Sequence, residues 1–234
     1  MRLVVLFDNT AVVEGTQKGW GFSCWVEGNG QAVRFDTGSH GDTLLANMEV
    51  LGLSPSKVKA VALSHFHWDH TGGLLDLLEE AEGIPVFLHP GFSRRFAMEV
   101  ARIGGEPLWV EDDTEVVPDV HITAPVPGVI PESALVLRGE EGLAMVTGCA
   151  HPGIVEMVEY VVRSFGEAPR LVMGGFHLLD HSPEEVLDVV SRLRSLGVEK
   201  VGPTHCTGER AISLFQKEWP QGFVPLGVGR TLKL

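Results

Sequence analysis

The chain has 234 residues, 44% of them hydrophobic and 21% charged, with a formal net charge of −13; this suits a single domain over residues 1–234 with a core that needs no staples. The acidic balance, with no long run of Lys or Arg, argues against a nucleic-acid partner and leaves a small molecule as the expected one. No apolar segment approaches the ~18 residues of a membrane span, and three widely spaced cysteines, Cys24, Cys149 and Cys206, exclude a disulfide framework and fit a reducing, cytoplasmic setting.

The first third alternates short apolar runs with turns. "RLVVLFD", "FSCWVEG" and "QAVRFDTG" read as strands, the last two joined by the turn "EGNG". "DTLLANMEVLGL" reads as a helix closed by Gly52. "KAVALS" is a buried strand that delivers His65. "GGLLDLLEEA" is an amphipathic helix, "IPVFLHP" a strand and "FSRRFAMEVARI" a helix. Residues 106–142 are rich in Pro and Asp and read as strands with long turns. "GLAMVTG" is a strand, "GIVEMVEYVVRSF" a helix and "PRLVMGG" a strand. In "HSPEEVLDVVSRLRSLG", Ser182 caps a helix, Pro183 suits its first position and Glu185 completes a capping box. Val186, Leu187, Val190, Leu193 and Leu196 recur at helical spacing. The strand "VEKVGP" then delivers His205. Two similar halves, each with strands followed by strand–helix units, predict an α/β (α+β) arrangement of sheets covered by helices on their outer faces.

The most informative stretch is "SHFHWDHTGG", which packs His65, His67, Asp69 and His70 into six positions. It follows a strand and is expected to form a loop at the sheet edge, where scaffolds hold reactive groups. Imidazole nitrogen and carboxylate oxygen together suit Zn²⁺, Mn²⁺ or Fe²⁺, with Mg²⁺ a further option. Four such groups exceed what one ion takes from so short a segment, so one or two ions are expected. Further ligands have to come from other strand ends. His151 in "TGCAH" and His205 in "PTHC" are the candidates, and His177 in "GGFHL" has a matching context. His89 and His121 read as structural, and His40 and His181 as solvent-facing turn residues. "DTGSHGD" has the glycines of a phosphate loop but lacks its Lys.

His65, His67, Asp69 and His70 match the His-x-His-x-Asp-His motif, and on it the chain resembles the metallo-β-lactamase superfamily. "LFDNT", "SHFHWDHTGGL", "TGCAHPGIV", "GGFHL" and "PTHCTGERA" are similar to its branch of 7,8-dihydropterin-6-methyl-4-(β-D-ribofuranosyl)-aminobenzene-5′-phosphate synthase-like proteins. The resemblance implies a four-layer αββα sandwich with a dinuclear metal site between the sheets. It also implies that His65 and His67 hold one ion, and that Asp69, His70 and His205 hold the other. Two departures stand out. "PGVIPES" has no histidine where the family carries one, and Cys149 stands where the family carries a bridging aspartate. His151 can supply the missing nitrogen, and Cys149 can either ligate or merely pack.

The expected activity is hydrolysis of a phosphoester or acyl substrate, with Zn²⁺ activating a water. Asp69 is expected to orient the nucleophile as well as ligate, and His177 to donate to the developing oxyanion or the leaving group. Asp36 and Asp8 are candidates to hold ligand histidines from behind. The alternatives are a metal-dependent transferase that releases diphosphate, and a metal-binding protein without catalysis.

Overall fold

The computed structural model describes every residue except Asn29 and Glu82, so the middle of the expected "EGNG" turn lies outside the described residues. The first half of the chain supplies six strands. These are β1 (Arg2–Phe7), β2 (Ser23–Gly28), β3 (Gln31–Phe35), β4 (Val58–Ala62), β5 (Pro85–Leu88) and β6 (Glu106–Trp109). The second half supplies β7 (Thr114–Val117), β8 (Val120–Ile122), β9 (Leu135–Gly139), β10 (Gly142–Thr147), β11 (Leu171–Gly175) and β12 (Lys200–Thr204). A last strand, β13 (Thr231–Lys233), returns to pair with β1. The two sheets run β13-β1-β2-β3-β4-β5-β6 and β12-β11-β10-β9-β8-β7. Pairing is parallel from β3 to β6 and from β10 to β12. Parallel neighbours need crossovers, and helices supply most of them. The helices are α1 (Gly41–Val50), α2 (Trp68–Thr71), α3 (Leu74–Glu80), α4 (Arg94–Arg102), α5 (Ile154–Phe165), α6 (Pro183–Ser195) and α7 (Glu209–Glu218).

Side-chain alternation along the strands creates three apolar zones. Leu3, Val5, Phe35 and Ala62 meet Leu135, Ala144, Val146 and Met173 between the sheets. Val4, Leu6 and Val61 face the other way, under Leu44, Leu77 and Val100 of α1, α3 and α4. Met145 and Val172 lie under Met157, Val190 and Phe215 of α5, α6 and α7. Strands buried on both faces read as continuous apolar runs, which is why "RLVVLF" and "GLAMVT" were legible. The result is the αββα layering expected from the sequence.

Three local features differ from the expectations. The stretch after His65 is not all loop, because Trp68–Thr71 forms a helical turn. The His67 carbonyl starts it, accepting from the His70 and Thr71 N–H groups at 3.0 and 3.1 Å and from the Thr71 hydroxyl at 3.0 Å. Leu187 is 40% exposed, although Val186, Val190 and Leu193 beside it are buried. α7 and β13 carried no expectation, since α7 buries only Ala211 and Phe215 and β13 has three residues. No helix among the described residues is long and apolar enough to cross a membrane.

The capping box of α6 is present. Ser182 Oγ accepts from the Glu185 N–H at 3.3 Å, and the Glu185 carboxylate accepts from the Ser182 N–H at 2.7 Å. Ser182→Ala is therefore expected to cost about 1 kcal/mol. In a chain of this size that lowers Tm by about 2–4 °C. An unchanged calorimetric Tm would show that the box contributes nothing.

Candidate metal centre

The strands β1, β3, β4, β10, β11 and β12 all end at one edge of the sandwich. Asp8, Asp36, His65, Cys149, His177 and His205 follow these ends within a few residues. On the first sheet, the carboxylate of Asp36 organises the histidine segment. Its Oδ1 accepts from the Ser64 N–H at 2.8 Å. Its Oδ2 accepts from the Ser64 hydroxyl and lies against His70 Nδ1, both at 2.7 Å. With Nδ1 so engaged, His70 turns Nε2 inward, 3.2 Å from Cys149 Sγ and 3.8 Å from Asp69 Oδ2. His65 Nδ1 sits 2.9 Å from Ser64 Oγ, and its Nε2 lies 3.1 Å from His67 Nδ1. Asp36 thus holds His70 from behind. Asp8 does not hold His205; it accepts from the Thr204 hydroxyl at 2.8 and 2.7 Å. Asn9 is the residue against His205, with Oδ1 3.0 Å from Nδ1.

On the second sheet the organiser is Glu132, which the sequence reading passed over. It stands in "PGVIPES", the stretch that lacks the family histidine, and is fully buried. Its Oε1 accepts from the N–H groups of Gly148, Cys149 and Ala150 at 3.0, 2.9 and 2.9 Å. Its Oε2 accepts from the His151 N–H at 3.0 Å. One carboxylate therefore fixes the whole "GCAH" turn. The available signal was an accounting one: "TGCAH" leaves a strand with several N–H groups in a buried place and no local side chain to accept them.

The structure brings the expected residues together in two groups. Asp69, His70, Cys149 and His205 offer ligand atoms within 4.8 Å of one another, and so do His65, Cys149 and His151. His67 joins the second group through His65, and its ring centroid lies 4.8 Å from that of His151. The sulfur of Cys149 is common to both. His177 lies beside His151, ring to ring at 4.3 Å, and is exposed toward solvent. His89 is buried against the Ser64 carbonyl at 3.0 Å, away from these groups, and His40 and His181 face solvent as expected.

Electrostatics favours the ligand forms of His65, His151 and Asp69, and the proton-bearing forms of His70 and Cys149, which a cation would have to displace. Burial, reinforced by the neighbouring imidazoles, holds His65 well below the usual histidine range. Burial, with His177 and His67 adjacent, lowers His151 to about 3. Both rings are therefore neutral at pH 7, with lone pairs to offer. Burial opposes ionisation of Asp69, but His205 and His70 beside it outweigh that and hold it at about 2. Burial likewise opposes charging of His70, yet Asp36 carries it up to about 9. Burial pushes the Cys149 thiol up. The donor set fits a divalent cation: His151 Nε2 and His205 Nε2 are buried with no hydrogen-bond partner among the described residues. The latter lies 3.3 Å from Asp69 Oδ2, close but unaligned for a hydrogen bond. Orphaned buried nitrogens are costly in a folded protein, and a cation is the natural partner for a nitrogen next to a carboxylate.

Because Glu132 satisfies four backbone N–H groups, three of them buried, Glu132→Ala is expected to lower unfolding stability by about 3 kcal/mol or more. Glu132→Gln keeps one acceptor oxygen but turns an NH₂ toward a donor, so about 1–3 kcal/mol is expected. Urea midpoints measure both; losses below about 1 kcal/mol for the alanine variant would remove Glu132 from this role.

Comparison with known proteins bears on the fold and the family. The chain is 30% identical over 265 residues to the 7,8-dihydropterin-6-methyl-4-(β-D-ribofuranosyl)-aminobenzene-5′-phosphate synthase of Methanocaldococcus jannaschii, covering 93% of this chain and 90% of that protein. It is 26% identical over 243 residues to the uncharacterized protein MJ0448 of the same organism, covering 89% and 91%. The solved structure of Tm1679, described as a metal-dependent hydrolase of the β-lactamase superfamily, superposes with a TM-score of 0.86 at 31% identity, covering 100% of this chain and 99% of that one. The profile of the metallo-β-lactamase superfamily matches residues 21–205, from the β2 strand through the last of the clustered histidines. With its αββα layers and a histidine-rich edge in the matched region, this chain belongs to the metallo-β-lactamase superfamily.

Proposed function

We propose that the protein is a metal-dependent hydrolase acting on a small phosphoester or acyl substrate. The observation that carries this reading is the pair of ligand groups that share the Cys149 sulfur. In it, His65, His67, His151 and Cys149 would hold one ion, and Asp69, His70, His205 and Cys149 would hold the other. Zn²⁺ bound there would lower the pKa of a water toward about 7 and polarise a phosphoryl or carbonyl oxygen; Mn²⁺ and Fe²⁺ suit the same donors. The protein's own groups do the rest. Asp36 fixes His70 by its Nδ1, so that only Nε2 is free to bind. Asn9 does the same for His205. Glu132 holds Cys149 and His151 through their backbone. Asp69, ionised and 9% exposed at its side chain, can orient the attacking group as well as ligate.

His177 is the second residue proposed to act on substrate. It borders a cavity of about 170 Å³ that Trp20, Leu179, Asp180 and His181 also line. From there an N–H of its ring can donate to a developing oxyanion or leaving group. The cavity size and the net charge of −13 suit a small molecule better than a polyanion. A second reading is metal-dependent group transfer with release of diphosphate. The synthase name of the 30% identical relative favours it.

Protein reloaded with Zn²⁺ or Mn²⁺ is expected to hydrolyse at least one of a panel of phosphodiesters, lactones and thioesters. Chelation should abolish turnover, and added metal should restore it. His65→Ala and Asp69→Ala should lose both metal and turnover. His177→Ala should keep the ions of both histidine-rich groups and lower kcat by about 10²–10³-fold. Diphosphate release from a pterin diphosphate in the presence of an aminobenzene acceptor, with no hydrolysis of the panel, would replace the hydrolase reading by the transferase one.

A further inference from the structure

Cys149 and His177 and Cys206 form a third cluster, beyond the two groups assigned above. Each lies two residues past the end of one of three consecutive parallel strands, β10, β11 and β12. The register continues between them, with Thr147 opposite Gly174 and Gly175 opposite Thr204. His177 and Cys206 overhang that register equally and Cys149 by one residue less, and the turns after the strands bring the three side chains to one place. Their ligand atoms lie within 4.8 Å of one another. Two backbone features make room for this. Gly175 sits where a Cβ would come 2.6 Å from the Cys206 sulfur. His177 holds φ 53, a left-handed value that non-glycine residues keep only when surroundings fix it.

We propose that Cys149, His177 and Cys206 form a third, thiolate-rich site for a borderline-soft divalent cation such as Zn²⁺ or Cd²⁺. Two sulfurs and an imidazole match that class, and no carboxylate belongs to the cluster that would favour Mg²⁺ or Ca²⁺. A tetrahedral zinc with Zn–S of about 2.3 Å and Zn–N of about 2.0–2.1 Å places its donor atoms roughly 3.4–3.8 Å apart. Donor atoms within 4.8 Å of one another need side-chain closure of at most about 1.4 Å to reach that. Cys149 and Cys206 are buried, while His177 is exposed on the cavity side. The three donors leave the fourth position facing the cavity lined by Trp20, Leu179, Asp180 and His181. Three protein ligands with one open position are the pattern of a site that takes water or a substrate group. One nitrogen of His177 binds the ion and the other remains for substrate. The third site rests on the two-group reading only through the shared sulfur of Cys149.

The test uses full-length protein stripped of metal under a reductant and reloaded with Cd²⁺ or Co²⁺. Uptake is counted by mass spectrometry of the metal, and thiolate ligation is read from the charge-transfer band of the cobalt form. Wild type is expected to bind one equivalent more than Cys206→Ser and one more than His177→Ala, with a weaker band in Cys206→Ser. A His65→Ala/Asp69→Ala double variant is expected to keep one equivalent and its band. Equal uptake by wild type and both single variants overturns the proposal, as does loss of every equivalent in Cys206→Ser or in the double variant. Full uptake by the double variant would instead sink the two-group reading and leave the third site standing.

Discussion

The arrangement depends first on one buried carboxylate. Asp36 reaches from the end of β3 to the end of β4, accepts from both donors of Ser64, and pins the ring of His70. The backbone on either side repeats the link, since the Asp36 N–H donates to the Ala62 carbonyl and the Thr37 N–H to that of His70. An unpaired charge at this depth would cost several kcal/mol. With its donors in place, the same charge turns one histidine nitrogen toward the interior of the edge. Of the residues on the first-sheet side of the candidate centre, His70 takes its orientation from that contact directly and His65 through Ser64.

Glu132 plays the corresponding part on the second sheet, and Ser64 joins the two. The Ser64 carbonyl accepts from the Ser133 N–H at 2.9 Å, one residue past Glu132. The proposed ligand sets are therefore carried on two sheets joined by a short polar bridge. The strain of the site lies in the same places. Asp36, Ala150, His177 and His205 all have φ between 52 and 59. Such residues cost about 1–3 kcal/mol each and persist where surrounding contacts over-determine them.

Most strands and helices were legible because their apolar periods are clean. "RLVVLF" and "GLAMVT" are buried on both faces, and the "HSPEE" start of α6 carries its cap within four residues. The His65 cluster was legible as chemistry because its residues are contiguous. Leu187 was misplaced because helical spacing marks a stripe but not its edge, and this residue lies on the border. Glu132 and Asn9 were missed for a different reason. Their partners are Gly148–His151 and His205, 16 to 196 residues away, and no local pattern encodes such a pairing. The third cluster was hidden likewise: three single residues on separate strands become neighbours only through the β10–β12 register.

That long reach also costs chain entropy. The Asp36–Ser64 link closes a loop of 28 residues, which costs about 3 kcal/mol of chain entropy beyond a constant. The Asp8–Thr204 and Asn9–His205 links close one of 196 residues, at about 5 kcal/mol on the same scale. Non-local pairings of this kind form slowly. On chain entropy alone, ordering the His65–His70 segment on its own sheet costs less than bringing in His205. The last of the proposed ligands joins through the same long-range contacts that tie the end of β1 to the end of β12, so full affinity for a cation proposed at Asp69 and His70 requires the complete fold.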